Sequence, residues 1–354
     1  MKKKILMIST GGTIASSAGD SGLAPAITSE GLLARVPRVS SICDVDAIQL
    51  MSLDSTNIGP EHWLKISCAV EENYDKYDGF VITHGTDTLA YTAAALSYLI
   101  QDSPKPIVLT GAQKPIELED TDARQNLLAS FIYAADDLSR DVSIVFDGKV
   151  IIGTRARKER TKSYNAFASV DYPEIAIIRD GKLIRYITPK LPEKAAIAEN
   201  TGSQWDGTVE ARRAVSGPVF YHRLSSKVLL ATLIPGMDAD VLYKLRDDYD
   251  AVIFQSFGSG GLPGGSDGEF AHAARFFLDA GKTIVMMTQV PYEGSDMSVY
   301  QVGKSIKENL PVIEAHDMTM EAVVTKLMWI LGETKDPAAI KEMFYTPVQH
   351  DIIM

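Results

Sequence analysis

Four short runs in the first half of the chain are apolar almost throughout and end in small or polar residues: KILMIS (Lys4 to Ser9), GFVIT (Gly79 to Thr83), PIVLT (Pro106 to Thr110) and VSIVF (Val142 to Phe146). A strand with one face in water alternates apolar and polar residues, so strands without alternation must be covered on both faces. Helix-like stretches separate several of them, TLAYTAAALSYLI (Thr88 to Ile100) and TDARQNLLASFIYAADDL (Thr121 to Leu138). Strands of this kind alternating with helices predict an α/β fold, a doubly wound and mostly parallel sheet with helices on both sides.

The same signal returns after a break. Residues 188–222 lapse into polar, Pro- and Gly-containing sequence, then KVLLATLIPG (Lys227 to Gly236), AVIFQSFGSGG (Ala251 to Gly261) and TIVMMTQ (Thr283 to Gln289) resume strand character. Helical stretches separate or follow them: DADVLYKLRDD, EFAHAARFFLDA and TMEAVVTKLMWIL. The expected organisation is a larger N-terminal domain at 1–187, a connector at 188–222 and a smaller C-terminal α/β domain at 223–354. A chain of 354 residues suits two domains of about 150 residues each.

Composition excludes several function classes. The formal net charge is −11, which argues against a general nucleic-acid or anionic-membrane binder, since both need a positive footprint. Cys43 and Cys68 are the two cysteines and lack the paired spacings that hold zinc, so neither a disulfide framework nor a structural metal is expected. The opening MKKKILMISTGG reads as a first strand, because its apolar stretch from Ile5 to Ile8 is shorter than the roughly seven residues a secretion signal needs. No apolar run is long enough to span a bilayer. A reducing cytosol is the expected compartment.

In open α/β sheets ligands bind beyond the carboxyl ends of strands. Four such ends are rich in hydroxyl, amide or carboxylate groups: STGGTIA (Ser9 to Ala15), LDSTN (Leu53 to Asn57), THGTDT (Thr83 to Thr88) and TGAQ (Thr110 to Gln113). Each alone is compatible with turn geometry; together they suggest a polar site. Gly11 and Gly12 permit a sharp turn and close approach to a ligand, leaving Thr13 to present its hydroxyl as a nucleophile or as a helix cap. Adjacent glycines without a following lysine match neither nucleotide-binding motif, so nucleotide binding is discounted. A threonine hydroxyl attacks only with a base to take its proton. His84 is one candidate, against its reading as a packed, hydrogen-bonded residue; a lysine from IIGTRARKERTK (Ile151 to Lys162) is another, against that run being a solvated loop. Gly264 to Gly268 fit G-x-S-x-G, but a nucleophile elbow needs the serine on a strand-to-helix turn and Pro263 intervenes.

TGGTIA at Thr10 to Ala15, HGTDT at His84 to Thr88 and G-x-R-x-x-K at Gly153 to Lys158 together resemble the bacterial-type asparaginase/glutaminase family. The resemblance runs along essentially the whole chain, through LDST, LTGAQ, FASVDYP (Phe167 to Pro173), LIPG (Leu233 to Gly236) and DMTMEAVVTKLMWIL (Asp317 to Leu331). DSTNIGPEHW (Asp54 to Trp63) and the absent leader make it most similar to the cytoplasmic, type I members. It implies hydrolysis of L-asparagine to L-aspartate and ammonia with no metal and no organic cofactor, in a homodimer or a tetramer of paired dimers. Carried onto this sequence, Thr13 is the attacking threonine. Thr86, Asp87 and Lys158 form a proton-handling triad. Asp54, Ser55 and Thr56 hold the substrate's ammonium and carboxylate, and Ala112 makes a backbone contact near its amide. Which threonine attacks first stays open. Many relatives carry a tyrosine in the loop after TGGTIA, where this chain has Leu23; Tyr292 could substitute. Gly19 and Gly22 suit a closing lid, and residues 258–261 and 292–296 are candidates for a loop lent to a neighbouring subunit. Two other functions remain in view. One is the amidase subunit of a tRNA-dependent amidotransferase, disfavoured by the nine residues before Thr10; the other is a non-catalytic amino-acid sensor, which would have no use for Thr13, Thr86 and Lys158 together.

Overall fold

The computed structural model describes residues 2–19, 22–25, 27–188 and 217–353, with backbone alone for 17–19 and 22–25. Most of the expected connector, residues 189–216, lies outside the described residues. The chain divides into two compact units, the first holding 1–153, 158–168 and the described part of 174–221, the second 154–157, 169–173 and 222–354.

The fold is α/β, as the strand pattern requires. The first unit is built on an eight-stranded sheet: β1 (Lys4–Gly11), β2 (Asp44–Leu53), β3 (Gly79–Thr83), β4 (Pro106–Thr110), β5 (Asp141–Phe146), β6 (Lys149–Ile152), β7 (Ala176–Arg179) and β8 (Lys182–Arg185), in the order β8-β7-β6-β5-β4-β3-β1-β2. The pairs from β2 to β5 are parallel, whereas β5, β6, β7 and β8 pair antiparallel. β3 and β4 are buried at every residue, as unalternating strands must be when both faces are covered. Register is what builds a site here: Thr83 lies opposite both Ser9 of β1 and Thr110 of β4. Three parallel strands therefore end level, and the loops that leave them start side by side.

Helices α1 (Pro60–Asn73), α2 (Leu89–Leu99) and α3 (Ala123–Ala134) accompany this sheet. α1 begins with a proline at its first position, where the missing N–H costs no hydrogen bond. α2 is apolar on all sides, with ten of its residues buried from Leu89 to Leu99, which suits a helix packed within a layered core. Backbone strands at Ser16–Gly19 and Gly22–Pro25 form a hairpin after TGGTIA.

The second unit carries a parallel sheet of β9 (Val228–Thr232), β10 (Ala251–Ser256), β11 (Thr283–Thr288) and β12 (Ile313–Glu314) in sequence order. Its helices include α4 (Glu269–Asp279), α5 (Gln301–Asn309), α6 (Met320–Glu333) and α7 (Pro337–Tyr345). Residues Gly265–Asp267 form a single 3-10 turn after a left-handed Gly264, so the G-x-S-x-G string is no nucleophile elbow. Arg155, from the basic run, is fully buried in this unit: its guanidinium donates to the Asp317 carboxylate and carbonyl, each at 2.8 Å, and to the His350 carbonyl at 2.5 Å. Lys326 of α6 and Asp351 form an ion pair at 2.7 Å with both side chains at 0% exposure. Removing one partner of such a pair leaves a buried charge uncompensated, so Lys326→Met is expected to lower stability in urea by about 3–5 kcal/mol. The double change Lys326→Met, Asp351→Asn should recover much of that loss, because the asparagine oxygen still accepts from the Val348 N–H, as Asp351 does at 2.9 Å.

Candidate active site

Four loops leave the carboxyl ends of β1, β2, β3 and β4, and contacts between their backbones bring them together. Gly12 turns the chain at φ 80°, and a Cβ there would collide with the Gly85 backbone. A Cβ on Gly85 would in turn stand 2.5 Å from the Ser55 Oγ and 3.2 Å from the Gly12 Cα. Only residues without side chains permit this approach, so the loops of β1, β2 and β3 meet at two glycines. Thr13, next to Gly12, opens a 3-10 turn to Ala15 and is half-buried.

Around that meeting point the polar side chains assemble. Lys158 Nζ donates to Thr86 Oγ1 at 2.8 Å and to Asp87 Oδ1 at 2.6 Å. The Asp87 N–H donates to Ser55 Oγ at 3.3 Å, and Thr88 Oγ1 donates to the Ser55 carbonyl at 2.7 Å. Thr86 and Ser55 are buried, and Lys158 is 16% exposed, yet Asp87 keeps 58% of its side chain open to solvent. Asp54 and Thr56 stay exposed; Asp54 Oδ1 accepts from the Thr56 N–H at 2.9 Å and from its hydroxyl at 2.8 Å. Ala112 is fully buried beside Gly111, where a Cβ would collide with the His84 carbonyl. Thus Ser55, Thr86, Asp87 and Lys158 form one hydrogen-bonded cluster. Thr13 adjoins it through Gly12, while Asp54 and Thr56 flank Ser55. Among the described residues no hydrogen bond joins the Thr13 hydroxyl to Thr86 or Lys158. Leu23 falls where side chains are not described, and Tyr292 belongs to the second unit with 43% exposure.

Several hydroxyls at the strand ends have structural work instead. Thr10 donates to the Thr83 carbonyl at 2.9 Å and Thr110 to the Val145 carbonyl at 2.8 Å. His84 is at 0% exposure, with Nδ1 2.7 Å from the Gly85 carbonyl and Nε2 2.9 Å from Thr92 Oγ1. A carbonyl only accepts, so Nδ1 carries the proton and Nε2 accepts from Thr92, whose oxygen takes the Trp63 indole N–H at 3.0 Å. Burial pushes the His84 pKa down to about 4. A buried, neutral imidazole with both nitrogens engaged is a packed residue and no base for Thr13.

Two groups were given no role by the sequence reading of the site, although Gln113 closes the candidate end TGAQ. Gln113 accepts from the Thr86 hydroxyl at 3.2 Å. Asp122 accepts from the Gln113 N–H at 2.9 Å and the Lys114 N–H at 3.1 Å, and shares Asn126 Nδ2, 3.1 Å away, with the Gly111 carbonyl at 3.0 Å. The spacing Asp122 to Asn126 puts both on one face at the start of α3; that was the one signal available.

Two family models match this chain in succession: "Asparaginase, N-terminal" over residues 4–191 and "Glutaminase/Asparaginase C-terminal domain" over 227–344. A two-unit α/β protein with threonine-rich loops at its strand ends is the class defined so far, and the chain belongs to the asparaginase family. It is 34% identical to the L-asparaginase of Thermococcus kodakarensis over 99% of both chains, and the solved structure of that enzyme superposes with a TM-score of 0.85. L-asparaginase I of Vibrio cholerae superposes at 0.83, with 25% identity over 100% of both chains. A glutamyl-tRNA(Gln) amidotransferase subunit of Pyrococcus furiosus is 31% identical across 97% of this chain and 75% of its own length.

Protonation of His84 has a defined sign. Its pKa falls from an ordinary 6.5 to about 4 on folding. The unfolded chain thus binds the proton first, and stability is full above about pH 6.5 and declines as pH drops towards 4. Between pH 7 and pH 5 this group should remove about 2 kcal/mol of stability. Denaturation at both pH values should show that slope in the wild type and its loss in His84→Asn, which keeps a donor for the Gly85 carbonyl; an unchanged slope would contradict the assignment.

Proposed function

We propose that this chain hydrolyses L-asparagine to L-aspartate and ammonia by double displacement at Thr13. The observation that carries the reading is the Lys158 ammonium held on both Thr86 and Asp87, beside a loop crossing that presents Thr13. With Lys158 neutral, Thr13 Oγ1 forms a bond to the side-chain amide carbon and its proton leaves through Thr86 to the Lys158 amine. The carbon–nitrogen bond breaks, and the nitrogen departs as ammonia with that proton. Water then adds to the acyl-threonine, the ester bond breaks, aspartate leaves and Thr13 regains its proton.

A zwitterion needs an anion for its ammonium and donors for its carboxylate, joined by charge-assisted hydrogen bonds. The exposed Asp87 carboxylate and the Asp54–Thr56 loop supply both, and the Ala112 backbone contacts the amide. Likeness to L-asparaginases over the full chain supports the substrate. On this reading residues 1–187 carry the chemistry, 223–354 form the second domain, and the protein works as a homodimer or tetramer without cofactor. The free thiols of Cys43 and Cys68 agree with a reducing cytosol. The likeness to an amidotransferase subunit favours a second reading, the same amide cleavage with ammonia passed to a partner; turnover of free asparagine by this chain alone separates the two.

The test is ammonia release from L-asparagine and L-glutamine. Thr13→Ala, Thr86→Val and Lys158→Met are each expected to lower kcat by about a thousandfold or more, as for members of one catalytic unit. Asp54→Ala should raise KM by about tenfold or more, the worth of a charged hydrogen bond. Full activity in Thr13→Ala would move the nucleophile to Thr86, and binding without turnover in the wild type would make the protein a sensor.

A further inference from the structure

Thr86 has two hydrogen-bond neighbours with opposite demands. A charged lysine has three donors and no acceptor, so at 2.8 Å Lys158 donates and Thr86 Oγ1 accepts. The hydroxyl hydrogen must then go elsewhere, and Gln113 Oε1 receives it at 3.2 Å. Which end of the Gln113 amide faces Thr86 is settled by the other end: Nε2 lies 3.3 Å from the Arg160 carbonyl and 3.1 Å from the Ser163 carbonyl. Two carbonyls can only accept, so the nitrogen is committed to them and the oxygen is turned to Thr86. The Gln113 backbone is itself pinned, its N–H bonded to both oxygens of Asp122 at 3.1 and 2.9 Å.

We propose that Gln113 is a positioning residue for the amide-cleaving reaction: it holds the Thr86 hydroxyl hydrogen away from Lys158 in the resting site, so that a Thr86 lone pair faces the ammonium. This rests on the proton-handling role given to Thr86 and Lys158 above. In that state the chain of donors runs from Lys158 through Thr86 to Gln113, which is the wrong direction for carrying a proton to the lysine. Productive transfer needs Lys158 neutral and the Thr86 hydrogen rotated from Gln113 towards it. Gln113 fixes the Thr86 oxygen in the resting arrangement, and its own anchors, two carbonyls and the Asp122 carboxylate, stay outside the exchange. The same side chain ties the loop after β4 to the segment 160–163, on which neither threonine depends directly.

The experiment compares kcat and KM for L-asparagine in the wild type, Gln113→Met and Gln113→Glu. Methionine has nearly the same length and only a weak thioether acceptor, whereas glutamate keeps an oxygen for Thr86 while giving up the donor to the Arg160 and Ser163 carbonyls. If Gln113 acts through Thr86, Gln113→Met lowers kcat by about tenfold, the scale of one hydrogen bond, and leaves KM within about twofold. A Gln113→Glu kcat above that of Gln113→Met supports the same role. A wild-type kcat in Gln113→Met, or a loss carried by KM instead, would overturn the proposal, and each would leave Thr86 untouched. Thr86→Val is measured beside them: full activity there would sink the underlying role of Thr86, while an inactive Thr86→Val with a fully active Gln113→Met would sink only the present inference. Should Gln113→Met not fold, Gln113→Leu takes its place in the same kcat and KM comparison with the wild type.

Discussion

The crossing of Gly12 over Gly85 is the contact on which the candidate site depends. Parallel strands with level ends place their loops side by side, but loops with side chains would be held apart by a van der Waals diameter. With no Cβ on either residue, the backbone after β1 touches the backbone after β3, and Ser55 from the loop after β2 fills the remaining space 2.5 Å from where a Gly85 Cβ would stand. The positive φ at Gly12 is part of the same geometry, since it turns the chain so that Thr13 is carried to the crossing. The polar residues of the loops after β1, β2 and β3 are brought side by side by this backbone contact.

Ion pairs in the chain divide by what surrounds them. Lys326 with Asp351 and Arg155 with Asp317 are shut away, at 0% and 0% and at 0% and 18% side-chain exposure; they cross-link loops and the C-terminal segment within the second unit. Lys158 with Asp87 is half in water, at 16% and 58%. A pair so exposed stabilises a fold by at most about 1 kcal/mol. On the proposed function its place is in the reaction: a lysine held next to a hydroxyl is positioned for proton exchange. The basic run IIGTRARKERTK thus splits by residue, Arg155 to the interior of the second unit and Lys158 to the threonine cluster of the first.

The strands were legible because a fully covered strand cannot alternate, and β3 and β4 match the expected Gly79 to Thr83 and Pro106 to Thr110. β2 is an edge strand with mixed exposure, and its polar residues Asp44, Asp46 and Gln49 hide the pattern. Thr86, Asp87 and Ser55 were recognisable from motifs, and the structure brings them together. Hydroxyl count was a poorer guide, since Thr10 and Thr110 spend their hydrogens on neighbouring strands. The basic run illustrates the same limit, because Arg155 and Lys158 differ by three positions and nothing in a strand-like segment says which side chain turns to which unit. Gln113 lies in the candidate end TGAQ, but its role was hidden for a related reason: an amide's role is set by which carbonyls meet its nitrogen, and those come from residues 160 and 163, about fifty positions away.

Behind the reactive groups stands a second layer of buried polar residues, and its energetics explain the order of the first. Asp122 sits at 7% exposure, and burial raises its pKa while hydrogen bonds from the Gln113 and Lys114 N–H groups and from Asn126 oppose that rise. An ionised carboxylate is tolerable there because those donors replace the water it has lost. Asn126 completes the arrangement, accepting the Asp147 N–H at 2.9 Å while donating to Asp122 and Gly111. On the other side of the same strand ends, Trp63, Thr92 and His84 form a single file of donors that terminates on the Gly85 carbonyl. The loops after β3 and β4 are therefore each held by buried polar groups, while Asp87 in the first of them stays open to solvent. Removing a buried partner would cost more in geometry than in total stability, because the atoms left unpaired belong to the turns that bear Thr86 and Ala112.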